Sequence, residues 1–198
     1  MVRERGETAR FKRSSFWRAK QVSSNISNAY HDSASERAMM LILKTSLFTI
    51  VAPGTVTFLV PYFILTSRIK LPSIELGAFR FSGLLAISLG AAIYLWCAWN
   101  FISKGKGTPA PWDPPTRLVA ADLYRVVRNP MYLGISTVVL GEAIFFESIA
   151  LLIYAALLPL GFHLRVVYYE EPALKNMFGD SYNRYCEEVK RWMPNGKR

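Results

Sequence analysis

At 198 residues the chain is about one domain long, yet 52% of it is hydrophobic and 14% aromatic while its net charge is +10. Two blocks, 39–66 and 79–103, are apolar all round for longer than a soluble helical core sustains, which excludes an ordinary soluble domain. The basic residues lie in the tails and between the apolar blocks, a placement that excludes nucleic-acid binding and matches anionic lipid head groups.

Segment 1–38 is polar and serine-rich, with Phe11, Phe16 and Trp17 set among Arg10, Lys12, Arg13, Arg18 and Lys20. Such a mixture suits a basic interfacial anchor and equally a disordered tail. It has no apolar run of the kind that marks a cleaved signal peptide. Segment 39–198 reads as a membrane domain. A bilayer crossing takes roughly 20 residues at helical rise, so 39–66 and 79–103 each predict one span, and 130–146 and 149–168 predict two more around a turn at Phe146-Glu147-Ser148. The predicted fold class is therefore an all-α transmembrane bundle of about four spans, with an amphipathic helical tail over 172–193.

Lysines and arginines crowd into 1–37, 104–128 and the stretch from Arg165 onward. Under the positive-inside rule this puts both termini and the 104–130 loop in the cytoplasm, although Arg68, Lys70 and Arg80 in the first external loop count against that topology. Pro53-Gly54 predicts a kink in the first span. Gly83, Gly90, Ala91 and Ala92 predict close helix approach in the second, where Trp96, Trp99 and Asn100 read as belt or cavity residues. The loop 104–116 is too rich in Gly and Pro to be helical for long, and its Gly105-Lys106-Gly107 is not a dinucleotide fingerprint. Glu142 is a carboxyl group at apparent membrane depth, either functional or bonded within the bundle. Pro159-Leu160-Gly161 predicts another kink, and His163 reads as a packing residue. Pro172 is expected to open a helix, Asp180 to cap the next, and Tyr182, Tyr185, Val189 and Trp192 to form its apolar face, with Pro194 as its stop.

The polar residues collect at one mouth. Thr116 to Gly134 is a basic, polar stretch that ends in Arg128-Asn129-Pro130 and runs straight into an apolar helix. Proline suits the first helical turn, and the free amides after it form an anion site. Glu170-Glu171 follow one helical hairpin later. Arg128, Tyr124, Tyr132, Arg165, Glu170 and Glu171 match a zwitterionic amino-acid group, its carboxylate to arginine or the helix start and its ammonium to a glutamate. No catalytic triad, phosphate loop or Cys/His cluster with metal spacing is present, and Cys97 and Cys186 make no disulfide framework. Transfer of an already activated group fits these residues better than hydrolysis.

Leu118-Val119, Tyr124, the run Arg128 to Gly134, Glu170-Glu171, Phe178 to Tyr182, Tyr185 and Arg191-Trp192-Met193-Pro194 together carry a resemblance. In this ordered combination the second half of the chain resembles the isoprenylcysteine carboxyl methyltransferase and phospholipid methyltransferase superfamily, and its small bacterial members above all. The resemblance implies a multi-pass enzyme of a bacterial-type inner membrane that takes S-adenosylmethionine as cofactor. Carried over by position, Thr116, Arg117, Leu118, Val119, Tyr124, Arg128, Asn129, Pro130, Met131, Tyr132 and Gly134 would contact the cofactor. Glu170 or Glu171 would bind its amino group. Asn129 and Arg165 fall at catalytic positions. The superfamily often has histidine where this chain has Asn129, and an asparagine can hydrogen-bond but not act as a base at neutral pH. Arg165 falls in the region where prenylcysteine enzymes orient a substrate carboxylate. The implied partners are membrane lipid and a lipophilic or small-molecule acceptor, whose nucleophile is a carboxylate, amine or thiol. No obligate protein partner and no metal are implied. The competing expectations are a nicotinamide-dependent membrane reductase of similar architecture and a non-catalytic membrane scaffold.

Overall fold

The computed structural model describes residues 35–68, 71–110 and 114–195. The chain divides into two compact units, Met1–Ile42 and Leu43–Arg198, and the bundle lies in the second. Of the tail expected over 1–38, residues 1–34 lie outside the described residues, and 35–38 form the start of the first helix.

The fold class is all-α, as predicted. Among the described residues, three helices are long and apolar enough to cross a membrane: α1 (Ser35–Thr66), α2 (Gly77–Gly105) and α4 (Ile149–Phe178). A shorter apolar helix, α3 (Pro130–Phe145), precedes α4, and a short amphipathic helix, α5 (Asp180–Glu188), follows it. Among the described residues there is no β-strand, only an isolated bridge between Ser73 and Ser148.

The proline in α1 widens the helix without breaking it. Pro53 withholds an amide from the carbonyl one turn back, and the next residues, Thr55–Leu59, form a π turn. Thr57 donates its hydroxyl to the Pro53 carbonyl at 2.9 Å, and Thr55 donates to Val51. The same device corrects the expected end of the fourth span. Helix α4 does not stop near Tyr168 to restart at Pro172 but runs on to Phe178. It continues through a π turn at Val166–Glu170, in which the Glu171 amide donates to the Val166 carbonyl five residues back. That shifted register absorbs Pro172, which has no amide to offer, and Pro159 is likewise carried inside the helix.

Helix α4 ends at Gly179, whose φ of +52° is open to glycine at little cost. Asp180 is the first residue of α5, and its side chain makes no cap. The turn is closed instead by the amides of Tyr182 and Asn183 on the Gly179 carbonyl. The helix stops at Glu188, ahead of Pro194, because Val189 is already extended.

Helices α2 and α3 run antiparallel with their backbones almost touching. Gly83 faces Gly141 and Gly90 faces Gly134, so that a seven-residue spacing on each helix brings small residues together twice. A Cβ on Gly90 would lie 2.5 Å from the Gly134 carbonyl oxygen, and one on Gly134 would lie 2.9 Å from the Gly90 oxygen. In lipid, such close approach stands in for the hydrophobic drive that water would supply. At the far end of the bundle, Glu147 ties the α3–α4 turn to the start of α2. Its carboxylate accepts from the Leu76 amide at 2.9 Å and pairs with Arg80 at 3.4 Å. Arg80, which counted against the predicted topology, therefore has a carboxylate partner.

Gly90→Val is expected to destabilise the bundle by about 1–3 kcal/mol through overpacking against backbone. Thermal unfolding of the purified protein measures this, and an unchanged midpoint would contradict the close α2–α3 contact.

Candidate functional site

The loop from Lys106 to Asn129 is folded by close packing of its glycines and prolines. Lys106 adopts φ +50° and ends α2. A side chain at Gly107 would collide with the Pro115 backbone, its Cβ 2.5 Å from Pro115 Cα. Thr116 fastens the returning strand of the loop by donating its amide to the Gly105 carbonyl at 3.0 Å. Beyond it the chain makes a 3₁₀ turn at Asp122–Arg125. That turn buries Tyr124, its ring edge-on to Phe101 with centroids 5.8 Å apart. Pro130 then opens α3.

The C-terminal tail closes onto this loop. Tyr182, Tyr185 and Val189 are buried against Leu118, Ala120, Leu174 and Phe178, so the predicted apolar face meets the loop and α4. Tyr185 donates its hydroxyl to the Tyr124 carbonyl at 2.6 Å. Burial pushes the Tyr124, Tyr182 and Tyr185 phenols upward, so all three stay protonated at neutral pH and Tyr185 keeps the proton it donates. The Arg128 amide donates to the Lys190 carbonyl at 2.9 Å, and the Asn129 side-chain amide donates to the Arg191 carbonyl at 3.4 Å. Trp192 donates to His163 at 3.1 Å.

The adjacent glutamates do different work. Glu171 receives a two-point contact from Arg191, at 2.6 and 2.8 Å, and also faces Arg128 at 3.2 Å. The hydrogen bond to Glu171 raises the Arg191 pKa further still, so this guanidinium remains charged. Glu170 points elsewhere. It accepts from the Tyr132 hydroxyl and from Arg165 Nε, the latter at 2.9 Å. The Tyr132 ring stacks on Phe162 with centroids 4.4 Å apart.

A cavity of about 240 Å³ lies among these elements. Of the sequence-predicted residues, Leu118, Val119, Tyr124, Arg128, Asn129, Met131, Tyr132, Arg165 and Glu170 line it. Thr116, Arg117, Pro130, Gly134 and Glu171 do not. Thr116 and Pro130 shape the backbone around the cavity, Gly134 packs on α2, Glu171 holds the tail, and Arg117 is exposed. Sequence reasoning missed the α1 wall formed by Phe48, Ala52, Pro53 and Val56, for which the only signal was the proline within an apolar span. Arg128 keeps one donor in reserve: its Nε is buried and has no partner among the described residues.

Glu171→Gln removes the charge shared by Arg128 and Arg191. Hydrogen bonds to charged groups of this kind are worth about 2–3 kcal/mol. The variant is expected to unfold earlier by that amount and to exchange amide hydrogens faster over 180–192. Unchanged stability and exchange would contradict the assignment of Glu171 to the tail.

The chain matches no curated protein and no solved structure. The phospholipid methyltransferase family model matches residues 78–181, from the start of α2 into α5, and so covers just over half of the 198 residues. By that match, and with an all-α architecture rich in apolar helices, the chain belongs to the phospholipid methyltransferase family, a family of membrane methyltransferases.

Proposed function

We propose that this protein is an S-adenosylmethionine-dependent methyltransferase that acts on a lipophilic acceptor at the cytoplasmic face of the membrane. The observation that carries the reading is the meeting of Arg128, Tyr132, Arg165 and Glu170 around one cavity, in a chain of the phospholipid methyltransferase family. The positive-inside rule, applied to the basic stretches 104–128 and 165–198 of the sequence, favours a cytoplasmic orientation with both termini on the same side.

The residues fit the cofactor. Arg128 lines the cavity, and its guanidinium group would supply a donor for a carboxylate. Glu170 supplies a carboxylate for an ammonium group, and Tyr132 with Arg165 fixes its orientation. The rings of Tyr132 and Phe162 offer π faces to a sulfonium cation. Glu171 is already committed to two guanidinium groups, which favours Glu170 as the amino-group ligand. When bound, S-adenosylmethionine supplies a sulfonium-activated methyl group that passes to the acceptor nucleophile.

The chain's own contribution is alignment in a dry pocket. The α1 wall and Phe162 exclude water on the membrane side, and Tyr182 with Tyr185 closes the tail side. Tyr132 holds its hydroxyl proton on Glu170. Asn129 carries a neutral amide engaged with the Arg191 carbonyl, so it positions the tail and supplies no base. The α1 residues Phe48, Ala52 and Val56 give the cavity an apolar side, which suits an acceptor that arrives from the bilayer.

Calorimetric titration of the purified protein with S-adenosylmethionine tests this. Glu170→Gln is expected to weaken binding about tenfold or more, the worth of one hydrogen bond to a charged group. Affinity unchanged in that variant would remove Glu170 from the site. Thermal stabilisation by a nicotinamide nucleotide and not by S-adenosylmethionine would replace the reading with a membrane reductase, and stabilisation by neither would leave a scaffold.

A further inference from the structure

A second cavity, about 840 Å³ in volume, lies between α1, α2 and α3. It opens on the bundle surface, where Ile50, Phe58 and Leu95 are exposed, and its walls, which include Ile87 and Val138, are chiefly apolar. The threonine hydroxyls on it are spent: Thr49 bonds the Thr45 carbonyl and the Tyr94 hydroxyl, while Thr55 and Thr57 bond carbonyls of their own helix. Tyr62 is exposed and its hydroxyl has no hydrogen bond among the described residues, and Glu142 is the buried exception. Its side chain lines the cavity, it is only 7% exposed, and its Oε2 is fully buried with no hydrogen-bond partner among the described residues. Arg80, at this end of the bundle, is paired with Glu147.

A carboxyl group at this depth without a partner is costly unless something else supplies a donor or a counter-charge. The wall around it is apolar, so the body of that ligand is apolar as well. We propose that this cavity is a binding site for a long-chain aliphatic amine, with the amine nitrogen held by the Glu142 carboxyl group. Among simple donors an ammonium group is favoured over a hydroxyl, because it neutralises the carboxylate as well as bonding to it. Glu142 lies seven residues after Ile135, where the first cavity reaches α3, which is about 10 Å along the helix at helical rise. The aliphatic chain runs back toward Pro53 and Ile135, which line both cavities. This site does not depend on the methyl-transfer reading, because its ligand and its test involve neither S-adenosylmethionine nor Glu170.

The test is photolabelling of the full chain in phosphatidylcholine nanodiscs with a diazirine-bearing dodecylamine, and in parallel with the matching alcohol. The amine is expected to label peptides of the cavity wall and to be displaced by plain dodecylamine. Glu142→Gln should raise the concentration needed for labelling about tenfold or more. Ala91→Trp, at a half-buried position on the cavity wall, should block labelling while leaving the carboxyl group intact, so the test survives if the first variant does not fold. Equal labelling of wild type and Glu142→Gln would overturn the proposal. So would alcohol labelling as strong as that by the amine, or undisplaced labelling spread over lipid-facing residues such as Leu85 and Phe63.

Discussion

Two guanidinium groups share one carboxylate at Glu171, and the closed form of the site depends on that cluster. Arg128 comes from the loop before α3, Arg191 from the C-terminal tail and Glu171 from the last turns of α4. The side chains of Arg128 and Glu171 are largely shielded from solvent, where an uncompensated charge is expensive. Each member therefore holds the others in place. With the tail fixed, Tyr185 reaches the Tyr124 carbonyl and the Asn129 amide reaches the Arg191 carbonyl, so loop and tail enclose one cavity.

The membrane part of the bundle serves the same end. Paired glycines allow α2 and α3 to pack backbone to backbone, which sets the level at which Pro130 and the residues after it emerge. The π turn at Val166–Glu170 then matters for direction. It carries α4 beyond Arg165 without a break and delivers Glu170 and Glu171 to opposite tasks. Successive residues on a helix point about 100° apart. Glu170 thus faces Tyr132 and the cavity, while Glu171 faces the tail.

Much of this was legible in the sequence. The apolar blocks announced the helices because length and composition alone decide whether a helix suits a bilayer. The run from Arg128 to Tyr132 and the paired glutamates announced the site because charged residues beside an apolar helix need partners. The split between Glu170 and Glu171 was not legible, since the partner that distinguishes them, Arg191, lies twenty residues away and reaches back only after the turn at Gly179. Gly134 read as a site residue from its neighbours, yet its lack of a side chain is used by Gly90 across the helix pair. The α1 wall was hidden for a related reason: Phe48, Ala52 and Val56 are unremarkable apolar residues, and only tertiary packing brings them to the cavity. The continuous α4 escaped notice because Pro172 and the charged residues around it look like a helix start, and a π register is invisible to a 3.6-residue pattern.

The central claim is that this bundle passes a methyl group from a cofactor held at Arg128 and Glu170 to a molecule that arrives from the bilayer. Incubation of the purified protein with methyl-labelled S-adenosylmethionine and a total lipid extract measures that directly. The account predicts label in the lipid fraction with wild-type protein and a strong reduction with Glu170→Gln. Lipid that stays unlabelled, or label that appears equally with the variant, would contradict it.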